Sequence, residues 1–122
     1  MAEVPIWIVN VEHWPRALLR AELIERGYDA TGFVKLEDAI ARLMLPHAQR
    51  PALLVLDARE QVVDEPRAAL LARAGIPVMT VADLSHAGGA SLDFAAAIVR
   101  RPVTIGAIAD AVDRLTGTRR VR

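Results

Sequence analysis

Cysteine is absent from the 122-residue sequence, which excludes disulfides, thiolate nucleophiles and cysteine-ligated zinc. Net charge is absent as well, because 15 Lys+Arg balance 15 Asp+Glu, so no global field exists to hold nucleic acid or an anionic membrane. No stretch approaches the roughly 20 apolar residues of a membrane span. Glu3 stands where a signal peptide would be basic. We therefore expect a cytoplasmic protein with neither nucleic acid nor a membrane as its partner.

Apolar residues and alanine are abundant. Hydrophobic residues make up 53% of the chain, 22 residues are alanine, and the basic residues are 14 arginines and one lysine. A chain of this length can bury one hydrophobic core, and alanine favours helices that lie close on a sheet. These features predict a helix-rich α/β domain over residues 1–117, followed by a solvated basic tail at 118–122.

Three short apolar runs are too brief to be helices. They lie at 6–9, 53–56 and 78–81 and are apolar at nearly every position. Such runs are typical of strands buried on both faces of a parallel sheet. Two weaker strand candidates lie at 28–33 and 96–99.

Helical patterns lie between these runs. Pro15 suits a first helical turn, and Gly27 suits the end of that helix. Asp64 suits the start of a later helix that Gly75 ends. Two amphipathic stripes recur at i, i+3, i+4 and i+7, and they are Leu36, Ala39, Ile40 and Leu43, then Ile105, Ile108, Ala109 and Val112.

The stretch from Asp83 to Phe94 has a poor helical pattern, and it contains Gly88 and Gly89. Five βα units therefore remain, with a degenerate fourth helix. Right-handed crossovers between them predict a flavodoxin-like, doubly wound, five-stranded parallel sheet in the order 2-1-3-4-5. The functional crevice of such a sheet lies beyond the carboxyl ends of its strands. That rule selects Asn10, Val11, Glu12, His13, Asp57, Ala58, Arg59, Ala82, Asp83, Arg100, Arg101 and Pro102.

The chain resembles a response-regulator receiver domain of the chemotaxis-regulator type over nearly its whole length. The segments that carry the resemblance are PIWIVNVEHWPRALLRAELIERGYDATGF, PALLVLDAR, IPVMTVAD and IVRRPVTIGAIADAV. In that family an aspartate at the tip of the third strand accepts a phosphoryl group, and Asp57 occupies this position. The Lys-Pro peptide of the family is commonly cis, which implies a cis bond between Arg101 and Pro102.

The other family positions depart from the pattern. The acidic pair that binds Mg²⁺ falls on Asn10 and Val11, with Glu12 next to it, and the side chain at Glu12 is expected to point to the other side of the turn. The conserved hydroxyl of the family falls on Ala82, its switch aromatic on Ile98 and its lysine on Arg101. Valine cannot ligate Mg²⁺, and Asn is a poor substitute for a carboxylate. The resemblance thus implies a degenerate receiver, or pseudo-receiver, with no metal or other cofactor.

Without a metal, the carboxylate of Asp57 needs a compensating charge, and we expect it to be ionised and paired with Arg101 or Arg59. The predicted function is a stand-alone signalling adaptor, not an enzyme, that acts by protein-protein contact independently of phosphorylation. The resemblance implies a partner face made by the fourth-helix region, the last strand and the last helix, where Asp110, Asp113 and Arg114 lie opposite the apolar stripe. A histidine kinase, another signalling protein or a second copy would bind there.

Two alternatives belong to other classes. One is a working single-domain response regulator, phosphorylated on Asp57 by a histidine kinase with Mg²⁺ held through Glu12. The other is a small-molecule-binding flavodoxin-like domain or a minor hydrolase, since His13, His86 and Ser85 can lie over the same crevice as Asp57. Loop positions without a metal-ligand spacing favour surface histidines instead, and the glycine pair at 88–89 favours a hinge over a phosphate-binding turn.

Overall fold

The described residues, which are 3–84 and 93–117 of this computed structural model, form five strands and four helices, with a helix after β1, β2, β3 and β5. The strands are β1 (Pro5–Val9), β2 (Asp29–Phe33), β3 (Leu53–Asp57), β4 (Val78–Ala82) and β5 (Ala97–Arg100). The helices are α1 (His13–Glu25), α2 (Leu36–Leu43), α3 (Glu65–Arg73) and α4 (Ile105–Thr116).

The strands form one parallel sheet in the order β2-β1-β3-β4-β5, which confirms the predicted topology. All residues of β3 and β4 are buried, and so are four of the five in β1, as expected for strands covered on both faces. The edge strands β2 and β5 are only partly buried, which explains their weaker sequence patterns.

Helix ends follow the predicted residues. Pro15 lies in the first turn of α1, and Gly27 follows that helix with a φ of 95°. Asp64 accepts a hydrogen bond from the backbone N–H of Arg67 at 3.0 Å and so caps α3. Gly75, with a φ of 72°, allows the chain to leave α3 toward β4.

Each face of the sheet packs against its own hydrophobic cluster. Helices α1 and α4 cover one face through residues such as Leu23 and Val112, and α2 and α3 cover the other through residues such as Leu36 and Leu71. Not every apolar residue of α1 joins this core, because Ile24 is 44% exposed and Leu18 is still more exposed. It is 54% exposed, because α1 turns Leu19 and Leu23 toward the sheet.

A polar clasp ties the end of α1 to α4. Arg26 donates to Glu22, Asp110 and Asp113 at 2.8 Å each, and the hydroxyl of Tyr28 donates to Asp113 at 2.6 Å. Burial lowers the pKa of Arg26, but hydrogen bonds to Asp110, Glu22 and Asp113 outweigh it and raise that pKa above its ordinary value. Of the two acidic residues predicted for the partner face, Asp113 is largely enclosed by these contacts, whereas the side chain of Asp110 remains 63% exposed.

Some sequence predictions fall on residues outside the described ranges. One is the degenerate helix predicted between β4 and β5, with Ser85, His86 and the glycine pair at 88–89. The other is the basic tail at 118–122. Within the described ranges, no helix is both long enough and apolar enough to cross a membrane.

Candidate functional site

Asp57 is the last residue of β3, and its side chain is almost fully enclosed at the carboxyl edge of the sheet. Only 5% of that side chain is exposed. Its carboxylate accepts hydrogen bonds from the amide of Asn10 at 3.2 Å and from the backbone N–H of Arg59 at 3.0 Å. A carboxylate buried in this way requires both hydrogen bonds and a counter-charge.

Two arginines supply that charge. Arg101, directly after β5, donates from Nη2 to Oδ2 of Asp57. Arg59, two residues after Asp57, reaches Oδ1 through Nε at 3.3 Å. The predicted pairing of Asp57 with Arg101 or Arg59 is confirmed, and both arginines take part. The peptide between Arg101 and Pro102 is cis, as the resemblance implied.

Asn10 and Glu12 follow β1 and shape the other side of the site. The side-chain oxygen of Asn10 accepts from the backbone N–H of Glu12 at 2.9 Å, which fixes a tight turn and leaves the amide nitrogen for Asp57. The carboxylate of Glu12 then reaches Nη2 of Arg59 at 2.6 Å. Its expected direction, to the far side of the turn, is therefore wrong, because the guanidinium of Arg59 attracts it across the crevice.

Charges of alternating sign run across the sheet edge. In order of contact the row reads Glu12, Arg59, Asp57, Arg101 and Asp83, and Nη1 of Arg101, after β5, donates to Oδ1 of Asp83, after β4, at 3.0 Å. Burial lowers the pKa of Arg101 from its ordinary value, and the charge of Glu12 opposes this shift. An arginine remains protonated at any physiological pH, so the row keeps its charges.

An apolar cavity of about 290 Å³ opens beside this charged row. It lies between α1, the sheet and the start of α4. Asp57, Arg59 and Arg101 form its polar end. Its apolar walls include Trp14, Leu18, Leu19, Val55, Val81 and Ile105.

Solved structures share this architecture. A response regulator receiver protein from Burkholderia phymatum superposes with a TM-score of 0.76 over 98% of this chain and 100% of that one, at 17% identity. The receiver domain of the Francisella response regulator 1452 gives 0.75 over 94% and 98%, at 15% identity. The chain has the response-regulator receiver fold. No family model and no curated protein sequence matches it.

Within the receiver fold, the site does not suit Mg²⁺. Val11 has no donor atom, both oxygens of Asp57 face guanidinium groups, and Glu12 is held by Arg59. No buried side-chain oxygen in the described residues lacks a hydrogen-bond partner, so none awaits a cation. No cluster of three histidine or acidic side chains suited to a metal occurs in those residues either.

The other candidate residues differ in their surroundings. Ala82, at the end of β4, is fully buried and brings no hydroxyl to the site. Ile98 in β5 is 43% exposed. His13 begins α1 and lies edge-on against the ring of Trp14, and it contacts none of the charges around Asp57.

Sequence reasoning missed three features of the site. These are the contact between Glu12 and Arg59, the contact between Arg101 and Asp83, and the apolar cavity. The two contacts could have been predicted, because Glu12, Asp83 and Arg101 each follow the carboxyl end of a strand near β3. Strands β1 and β4 are direct neighbours of β3, and β5 is one strand further away. No sequence pattern indicated the cavity, because its walls are apolar residues of the kind that any hydrophobic core contains.

Proposed function

We propose that the chain is a non-enzymatic signalling module that acts by protein-protein contact and is independent of phosphorylation. The observation that carries this proposal is the environment of Asp57. In a phosphoacceptor site a divalent cation neutralises the charge that develops on the transferred group. Here the guanidiniums of Arg59 and Arg101 contact Asp57, and each is also ion-paired with a second carboxylate.

The same geometry disfavours phosphoryl transfer to Asp57. Its Oδ1 accepts from Arg59, and its Oδ2 accepts from Asn10 and Arg101. An attack by either oxygen on a phosphoryl donor would require the loss of these contacts by a side chain that is only 5% exposed. The alternative, a working receiver that holds Mg²⁺ through Glu12, would also require Glu12 to leave Arg59.

The partner is proposed to be a protein of a cytoplasmic signalling pathway, such as a histidine kinase, or a second copy of this chain. The face proposed for it includes β5 and the adjoining surface of α4. Ile98, on the edge strand of this face, is 43% exposed and would be covered by a partner bound there. Asp110 and Asp113 give no support, since Arg26 binds both.

The decisive experiment is phosphorylation by acetyl phosphate in the presence of Mg²⁺, followed by intact-protein mass spectrometry. The wild type is expected to gain no phosphoryl group. A stable gain of one phosphoryl group on the wild type, absent from Asp57→Asn, would contradict the proposal. Binding of a candidate kinase should also be unchanged by Asp57→Asn.

A restored variant provides the matched control for this assay. The substitutions Asn10→Asp, Val11→Asp, Ala82→Thr and Arg101→Lys return the residue types that the receiver resemblance implies at these positions. This variant should accept a phosphoryl group at Asp57 under the conditions in which the wild type does not. Its labelling would show that the reagents work and that the four departures account for the inert site.

A further inference from the structure

The apolar cavity beside the charged row has the dimensions of a binding site. Its volume of about 290 Å³ is close to the lower end of the range for small-molecule pockets, and it exceeds the roughly 150 Å³ that holds a single benzene ring. The cavity reaches from the surface into the core cluster that α1 and α4 share. Leu19 and Val55 are buried at its base, and Trp14 and Leu18 are exposed at its edge.

Packing makes this cavity unusual for a domain interior. Protein cores are close-packed, and voids larger than one water molecule are few. Leu19, Val55 and Val81 are each at most 4% exposed, and all three line the inner part of this cavity. Covering an apolar surface of this shape with an apolar group of matching size lowers the free energy.

The polar end of the cavity is made of paired charges. The charged residues that line the cavity are Asp57, Arg59 and Arg101, which comprise one carboxylate and two guanidiniums. Glu12 and Asp83 contact the same guanidiniums but do not line the cavity. Counting these two carboxylates, the row has three negative and two positive charges, so free hydrogen-bond donors, and not net charge, must select the ligand.

Hydrogen-bonding capacity at the polar end differs between Asp57 and Arg59. The carboxylate of Asp57 is enclosed and already accepts from three residues. The side chain of Arg59 is 33% exposed. Within the part of the chain that the structure describes, its hydrogen bonds run through the backbone N, Nε and Nη2, and its Nη1 keeps two N–H donors. A ligand carboxylate can accept from such donors.

We propose that this cavity binds a small amphipathic organic anion, with one apolar ring or short branched chain and one carboxylate. The apolar part lies against Leu19, Val55 and Ile105, and the carboxylate faces Arg59. Inorganic phosphate fits less well, since it cannot use the apolar walls. This inference goes beyond the proposed signalling function and does not depend on whether Asp57 accepts a phosphoryl group.

The test compares two probes of equal size, 3-phenylpropionate and 3-phenylpropionamide, by isothermal titration calorimetry, with acetate and phosphate as further probes. The carboxylate should bind at least about tenfold more tightly than the amide, because a hydrogen bond to a charged group is the stronger kind. Acetate and phosphate should bind more weakly than 3-phenylpropionate. Equal binding of acid and amide, or binding of neither, would overturn the proposal.

Two variants locate the site. Arg59→Gln should weaken 3-phenylpropionate about tenfold while leaving the amide unchanged. Arg67→Gln is the matched control, because Arg67 is 30% exposed and also ion-paired but lies on α3, outside the cavity. It should leave both affinities unchanged, and equal losses in the two arginine variants would overturn the assignment.

A third variant tests the apolar walls. Ile105→Trp places a larger side chain at the half-buried entrance and should abolish binding of both phenyl probes. Its circular dichroism spectrum reports whether the fold is kept. If Ile105→Trp proves unfolded, Leu18→Trp at the exposed edge replaces it, and undiminished binding to a folded variant would overturn the proposal.

Discussion

Replacing Asp57 by Asn is expected to destabilise the domain by about 2 kcal/mol. Asparagine keeps the shape of the side chain and removes its charge, so the change tests electrostatics at nearly constant packing. Hydrogen bonds to charged groups contribute about 1.5–3 kcal/mol. We expect the lower half of this range, because Arg59 keeps Glu12 and Arg101 keeps Asp83 when the charge of Asp57 is lost.

The sign of the change in unfolding free energy shows whether Asp57 is surrounded by positive or by negative charges. Where carboxylates crowd together without counter-charges, neutralising one of them relieves repulsion and stabilises the fold. Asp57 instead contacts two guanidiniums, so neutralising it removes attraction. It also exchanges one acceptor oxygen for an amide group that faces the N–H donors of Asn10 and the arginines.

Urea unfolding followed by far-UV circular dichroism measures the effect. The midpoint should fall at an unchanged m value, and the melting temperature should drop by about 6–10 °C for a chain of this size. Asp29→Asn is the control, because Asp29 is exposed at the start of β2 and its neutralisation should change stability by less than about 0.5 kcal/mol. A higher midpoint for Asp57→Asn than for the wild type would refute the reasoning.

Mg²⁺ at millimolar concentration should leave the melting temperature unchanged, and a gain near the ~2.7 kcal/mol expected at a hundredfold excess over Kd would contradict the absence of a metal site. Tyr28→Phe should reduce the free energy of unfolding by about 1–2 kcal/mol, because the clasp loses the hydroxyl that donates to Asp113, and urea titration measures this loss. Gly27→Ala should reduce it by about 1–2 kcal/mol through backbone strain alone, since an added Cβ meets no atom within 4 Å at a φ of 95°. A fully stable Gly27→Ala would show that the turn after α1 adjusts.

The fold could be predicted because its signals are local. The central strands are apolar at consecutive positions, which only a sheet covered on both faces accommodates. Asp64 and Gly75 bracket α3 because a cap acts on its own helix within three or four residues. Residues that determine a helix end are therefore close to that end both in sequence and in the structure.

The site could be predicted only in part, because its contacts join distant segments. The topology brings Asp57 and Arg101 to one edge, so that pair followed from the strand order. The contact of Glu12 with Arg59 depends on the turn that Asn10 forms, and the position of Asp113 depends on how α4 packs against α1. Such contacts depend on tertiary geometry, which a pattern of residue types does not describe.

The row of alternating charges has a consequence for effective concentration. A cation bound from solution leaves its site when its concentration falls below Kd, so the compensation of a buried carboxylate then varies with the surroundings. Arg59 and Arg101 are tethered to the chain that carries Asp57, and a tether fixes the local concentration of a group by geometry instead of by supply. Dilution, chelation or a change of cellular magnesium therefore leaves the charge balance at this edge of the sheet as it was when the chain folded.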